Sequence, residues 1–196
     1  CILPMNFDSD QFGTFSGERD RKKSPLETSL DKAELAMEMS GCEVAIASEG
    51  SFGPHPFIPF AHANEEFMVF VDKRNDLQIR ERLLTTQTNF ARKTLRTFKE
   101  LKEFLTQIDF PNHGVILKVL SPEVKYVKGV QNEQELEFQF NLLQTESTDI
   151  IVETDMRAMY NPTRMTVIGE LAKKLVARIL AQCPSCAAPG FGLSRS

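Results

Sequence analysis

The sequence has no apolar run approaching the roughly 18 to 20 residues that cross a bilayer, so no transmembrane helix is expected. Nor does it have the cysteine density of a disulfide-stapled domain. Four cysteines in 196 residues, two of them as Cys183-x-x-Cys186, point instead to a reducing compartment. His55, His62 and His113 lack the spacing of a metal-ligand set and read as structural or surface groups. Positive charge is not in excess. A net charge of −4 and a pI near 5.5 argue against a protein that coats nucleic acid through its overall field, and leave room only for a local patch. No internal repeat, low-complexity tract or secretory signal is visible. A cytoplasmic setting is the expectation, although a chain that opens at Cys1 rather than Met says little about signals.

What is present suits a folded α/β protein. Hydrophobic residues make up 41% and charged residues 26%, enough apolar material for a core and too much for disorder. The length fits a single α/β domain over residues 1–181 with a short tail at 182–196. Charge is unevenly placed. Basic residues outnumber acidic ones from Lys73 to Glu103, whereas Gln131–Asp155 carries seven carboxylates and no Lys or Arg.

Leu26, Leu30, Ala33 and Met37 form a helical stripe opened by Ser24-Pro25 and closed by Gly41. Glu43–Ser48 (EVAIAS) reads as a buried strand, ended by a Gly- and Ser-bearing turn. The three prolines Pro54, Pro56 and Pro59 predict an extended loop, with Phe52, Phe57 and Phe60 as core or lid residues. Phe67–Asp72 and Leu77–Leu84 read as a hairpin around a polar turn. A helix ending before Pro111, a strand at Val115–Leu120, a helix at Gln131–Gln144, a strand at Ile150–Glu153 and a long helix at Pro162–Ala181 suggest a βαβ-like continuation. The expected architecture is a mixed sheet flanked by helices.

Two segments, KSPLET at 23–28 and SEGSFG at 48–53, carry the chemistry. Ser24-Pro25-Leu26-Glu27 has the pattern of a capping box, which explains Glu27 structurally; the same helix end presents a carboxylate and free N–H groups suited to a phosphate or its metal. Lys32 lies one and a half turns on, and its plainer reading is a surface lysine. Arg19, Arg21, Lys22 and Lys23 form a basic run that could gather anions or simply be solvated. Glu49 follows an apolar strand and precedes Gly50, Ser51 and Gly53, where a carboxylate could hold a divalent ion or activate water. Asp155, Arg157, Asn161 and Arg164 follow another strand, and an arginine pair can clamp phosphate. Cys183-Pro-Ser-Cys186 has the form of a zinc knuckle with only half of a tetrahedral ligand set, so an unmetallated or disordered tail is expected unless further ligands exist.

Glu27-x-x-x-x-Lys32-Ala33, the acidic turn at Ser48–Ser51 and Pro162-Thr163-Arg164 together resemble the inosine triphosphate pyrophosphatase superfamily. The resemblance implies a Mg²⁺- or Mn²⁺-dependent enzyme that cleaves nucleoside triphosphates to monophosphate and pyrophosphate. By that match Glu27 and Glu49 would serve the metal or its water, Lys32 the phosphate and Arg164 the nucleotide; Ser51 and Arg157 stand beside them as phosphate- or nucleotide-binding candidates read from the residues themselves. Thr28-Ser29 and Ser48-Glu49 depart from the superfamily pattern, which has Asn-Ala and paired aspartates there.

Gly13–Glu18, Ser24–Thr28, Ser48–Pro56, Asp155–Ala158 and Asn161–Met165 are also similar to motifs of an uncharacterised bacterial family of unknown function. Two functions stand as expectations. One is a metal-dependent nucleotide or phosphoester hydrolase. The other is a non-catalytic nucleotide- or anion-binding module with a zinc-knuckle interaction tail. In both the partner is a phosphorylated small molecule, and homodimerisation is open.

Overall fold

The computed structural model describes residues 23–120 and 123–192; the basic run up to Lys22 and the Gly13–Glu18 motif lie outside them. The chain divides into two compact units. One comprises the described residues up to Thr86 together with those from Val167 onward, the other Gln87–Thr166.

In the first unit, helix α1 (Pro25–Ser40) starts where capping chemistry demands it. The Ser24 side chain accepts from the Glu27 N–H, the Glu27 carboxylate reaches back to the Ser24 N–H, and Pro25 fills the first position. Gly41 at φ 67° ends the helix in the left-handed conformation that glycine adopts without steric cost. The α1 stripe of Leu26, Leu30, Ala33 and Met37 packs on Ala45, Ala47, Val69 and Val71. Those four belong to an antiparallel sheet of β1 (Val44–Pro54), β2 (His62–Asp72) and β3 (Leu77–Thr85), in that order. Alternation along β2 sends Met68 and Phe70 to the opposite face, where Ile79 and Leu83 join them under Leu171 and Leu175 of α4 (Pro162–Leu180).

Two expectations fail in this unit. The strand does not end at Ser48. β1 stays paired with β2 from Val44↔Asp72 to Pro54↔His62, so Glu49 and Ser51 lie within a strand. Gly50 explains how. Opposite Glu66, it lies under that carboxyl group, and a side chain there would overlap it. The glycine makes room inside the ladder where the sequence suggested a turn. Pro54 is tolerated because β1 is an edge strand. Phe57 and Phe60 are also not core residues; they stand exposed in the connection after Pro54. The turn there is held by His55, whose Nδ1 accepts from the Phe57 and Ile58 N–H groups.

The second unit holds its own sheet, in the order β4 (Arg92–Leu95), β7 (Ile150–Thr154), β5 (Val115–Val119), β6 (Lys125–Val130). Every pairing is antiparallel. Helices α2 (Phe98–Gln107) and α3 (Glu133–Gln144) each connect two strands that a third separates, giving two interleaved split βαβ units. Both helices pack on one face, where Leu101, Phe104, Leu136 and Phe140 meet Leu95, Val115, Leu117, Ile150 and Val152. The expected single mixed sheet is therefore replaced by two antiparallel sheets in a chain that is α/β in content. The helix–strand alternation was visible, but alternation alone does not show that a strand inserts between the two that a helix connects.

Candidate functional site

Antiparallel partners share a face, which orders the polar residues of the first sheet. Glu49, opposite Phe67, lies with Ala45, Ala47 and Ser51 on the face packed by α1. Lys32 comes down from α1 and its Nζ pairs with Glu49 Oε2, leaving the side chains 19% and 5% exposed. A lysine and a carboxylate this buried were left in place at a desolvation cost of several kcal/mol per ion. The fold joins the two residues that the sequence separates by 17 positions.

Glu27 is committed differently. It is exposed, and its Oε2 accepts both the Ser24 N–H, at 2.8 Å, and the Ser24 hydroxyl, at 2.7 Å. These bonds hold its pKa below the ordinary carboxylate value. Its carboxylate closes the helix cap. Lys23, last of the basic run, pairs with Asp31 at 2.7 Å.

Glu66 is the first residue the sequence reading left unassigned. It is fully buried on the other face of the sheet from Glu49, beside Asn64, whose Oδ1 is buried without a hydrogen-bond partner. The signal was available. In Asn64-Glu-Glu-Phe-Met-Val-Phe, Asn64 and Glu66 fall in phase with Met68 and Phe70, so polar groups continue an apolar face.

In the second unit the Asp155 carboxylate, with no exposure, chelates Arg157. Nε donates to Oδ1 at 3.0 Å and Nη2 to Oδ2 at 2.6 Å. The guanidinium lies 4.5 Å from the Tyr160 ring centroid. Gly129, at φ 73°, passes so close that a Cβ there would meet Tyr160 Cζ at 2.6 Å. Asn161 caps α4. Its Oδ1 accepts from the Arg164 N–H at 2.9 Å, and its Nδ2 donates to Asn89 and to the Asp155 carbonyl. Arg164 is 7% exposed, with Nη1 on the Met156 carbonyl at 2.6 Å. Thr163 bonds His113 Nε2 at 2.9 Å, which gives that histidine a structural role.

The sheet face away from α2 and α3 carries a second unassigned group. Glu153, opposite Arg92 and Ile116, shares it with Lys118 and Tyr126. Lys118 lies 4.9 Å and Lys128 5.7 Å from the Tyr126 ring centroid. Burial raises the Glu153 pKa against the pull of Arg92 and Lys118, with Asp155 adding to the rise. The structure thus brings Glu49 to Lys32, with Ser51 on the same face, and Arg157 and Arg164 to the Asp155–Asn161 turn. A groove of about 1040 Å³ runs along β3, lined among others by Leu26, Phe67, Arg80, Arg82 and Arg178, and includes none of these site residues.

Cys183 and Cys186 are free thiols in a reverse turn after α4, with Gln182 and Pro189 bridged across it. The Cys183 pKa is lowered by backbone N–H groups of Cys186 and Ser185 and by the Cys186 thiol. Among the described residues no group of three or more His, Cys, Asp or Glu side chains is placed to hold a metal ion.

A magnesium ion of the kind the nucleotide-cleaving resemblance implies needs hard oxygen ligands, with one or two carboxylates sufficing when substrate phosphates supply others. Glu49 fits, because its buried carboxylate carries a cation already and could exchange it. Glu27 does not fit while its carboxylate holds the cap. The family model described as a domain of unknown function, DUF6671, matches residues 32–196. No curated protein and no solved structure matches the chain.

Proposed function

The chain belongs to the DUF6671 family, and from the geometry of the Lys32–Glu49 pair we propose that it hydrolyses a nucleoside triphosphate, or a related phosphoester, there. The observation that carries the reading is that buried pair on the α1 face of β1. The pair offers an incoming ligand a carboxylate and a cation at one place. In the resting chain Lys32 balances Glu49. When a triphosphate enters, Lys32 turns its ammonium to the phosphate oxygens and offsets charge developing there, while Glu49 orients the attacking water and accepts its proton. Ser51, two residues along the same strand face, offers a hydroxyl to the phosphates. A bound Mg²⁺, with Glu49 as its protein ligand, would supply Lewis-acid polarisation of the phosphoryl group. The products are the monophosphate and pyrophosphate, as the inosine triphosphate pyrophosphatase-like resemblance implies.

Arg157 and Arg164 belong to the second unit, and the proposed step uses neither. The test is turnover of a panel of standard and non-standard nucleoside triphosphates with Mg²⁺ or Mn²⁺. Activity that falls about a hundredfold or more in Glu49→Ala supports the assignment. No turnover, or unchanged turnover in that variant, removes it. One observation favours a binding-only function, namely that Glu27 is taken by its cap and leaves a single carboxylate at the pair. Nucleotide binding in calorimetry without product would select that reading.

A further inference from the structure

We propose that the open edge of β3 is a docking slot for an extended acidic peptide, which adds to the first sheet as a fourth strand. β3 pairs with β2 on one side only, so its other side presents a row of backbone N–H and C=O groups. The groove of about 1040 Å³ follows that side. Its lining takes in every residue from Leu77 to Arg82, whose side chains alternate between the two faces of the sheet, so the groove runs along the edge of the strand and not over a single face. Leu26 and Phe67 bound it on the face that α1 packs. Gly190, which rests on Ile79, and Gly192, which lies against the Arg178 guanidinium, bound it on the other.

Charge selects the occupant. The groove carries Arg80, Arg82 and Arg178 against one carboxylate, Glu81, in a chain whose net charge is −4. Glu81 is taken by Arg178 at 2.6 Å, and Arg82 pairs with Glu65 at 2.6 Å over the Phe67 ring. Arg80 is exposed and makes no ion pair or hydrogen bond with its side chain among the described residues. Arg80 and Arg82 stand two residues apart on one face, so an added strand meets them with two acidic side chains at the same spacing. The residue between those two falls on the other face, where Ile79 offers an apolar contact. The pattern recognised is therefore acidic, apolar, acidic in an extended chain. Main-chain bonds supply affinity and the alternate side chains supply specificity.

A second copy of the chain fits the slot less well. In an antiparallel pair of β3 strands related by a two-fold axis, opposite residues share a face, and any register that joins the strand centres sets Arg80 or Arg82 opposite an arginine of the other copy. A nucleic-acid strand has phosphates for the arginines but no row of donors for the β3 carbonyls.

The experiment measures binding of a fluorescein-labelled peptide, Ser-Glu-Val-Glu-Val-Glu-Ser, to the full chain by anisotropy, with amide hydrogen exchange as a second readout. The peptide should bind and slow exchange within β3. Arg80→Glu changes an exposed side chain and should weaken binding about tenfold or more. N-methylation of alternate peptide residues keeps the charge and removes ladder donors in one phase only. Methylation in that phase should weaken binding about tenfold, and methylation in the other phase should change it little. Equal binding by Arg80→Glu and wild type, methylation effects that do not depend on phase, or no binding at all overturns the proposal. So does a dimer that protects the β3 amides without peptide, which assigns the edge to a second copy, or an oligonucleotide that displaces the peptide and protects those amides itself, which assigns it to nucleic acid.

Discussion

Each compact unit holds a buried carboxylate paired with a cation, and the two pairs are built in opposite ways. Asp155 and Arg157 are two residues apart, and their pairing is local geometry reinforced by an Arg157 backbone N–H and the Tyr160 ring. Lys32 and Glu49 are 17 residues apart and meet only because α1 packs on β1. A local chelate can be formed by a turn. A pair across a helix–sheet contact needs the contact first. Under the proposed function the second pair is the site, and the first is scaffold.

Substitution at the two pairs should therefore separate stability from activity. Lys32→Ala leaves the Glu49 carboxylate without its cation and should cost about 3 kcal/mol in denaturant unfolding. The double variant Lys32→Met with Glu49→Leu replaces the ion pair by apolar side chains. It should recover most of that stability, because a buried ion pair contributes little net over an apolar pair of similar volume. Turnover should not recover. Recovery of both would make the pair structural and end the contrast.

Arg157→Ala exposes the same difference from the other side. It leaves a fully buried Asp155 carboxylate without its chelate, and unfolding should again cost about 3 kcal/mol. Arg157→Lys restores charge without the fork and should recover only part of the loss, since one ammonium cannot meet both carboxylate oxygens in that geometry. Equal stability of Lys and Arg at this position would show that the chelate is dispensable. Gly129→Ala is a smaller perturbation of the same turn. A left-handed φ and the close approach of Tyr160 should together cost about 1 to 3 kcal/mol. An unchanged unfolding midpoint would mean that Tyr160 moves aside freely.

The sequence reported these two regions unequally for physical reasons. Local signals were legible. Ser24 with Glu27, and Gly41, delimit α1, and the polar turn at Lys73–Asp76 joins β2 and β3 as its residues indicate. Asx and hydroxyl caps act within a few residues, so a linear reading captures them. Strand order was not legible. β7 inserts between β4 and β5, a choice set by long-range pairing that no local pattern encodes. Strand β4, only four residues long, and the Lys-rich β6 carry too little alternation to stand out. Gly50 shows the limit best. A glycine beside Ser51 and Gly53 signals a turn, yet it serves to accept the Glu66 side chain from the neighbouring strand, and the partner that explains it lies 16 residues away. For the candidate site, Glu49 and Lys32 were both named from sequence. That they form one buried pair came from the packing of α1.

The smallest expected effect distinguishes the units by the sign of their pH response. The Glu27 pKa is lowered from 4.5 by its bonds to Ser24, so its ionised form stabilises the fold at neutral pH. That contribution is complete above the unfolded value and disappears as pH falls through the lowered folded value. The Glu153 pKa is raised from 4.5 by burial, so the folded chain holds this proton more tightly than the unfolded one. Stability then falls as pH rises from 4.5 through the raised folded value, and the penalty persists at neutral pH. Unfolding midpoints measured between neutral and acid pH should separate the two. Glu27→Gln should be less stable than wild type at neutral pH and converge with it only in acid. Glu153→Gln should be more stable at neutral pH and lose that advantage as wild-type Glu153 takes up its proton. If both variants shifted in the same direction, the buried carboxylate of the second sheet would be stabilised by Arg92 and Lys118 more than burial penalises it.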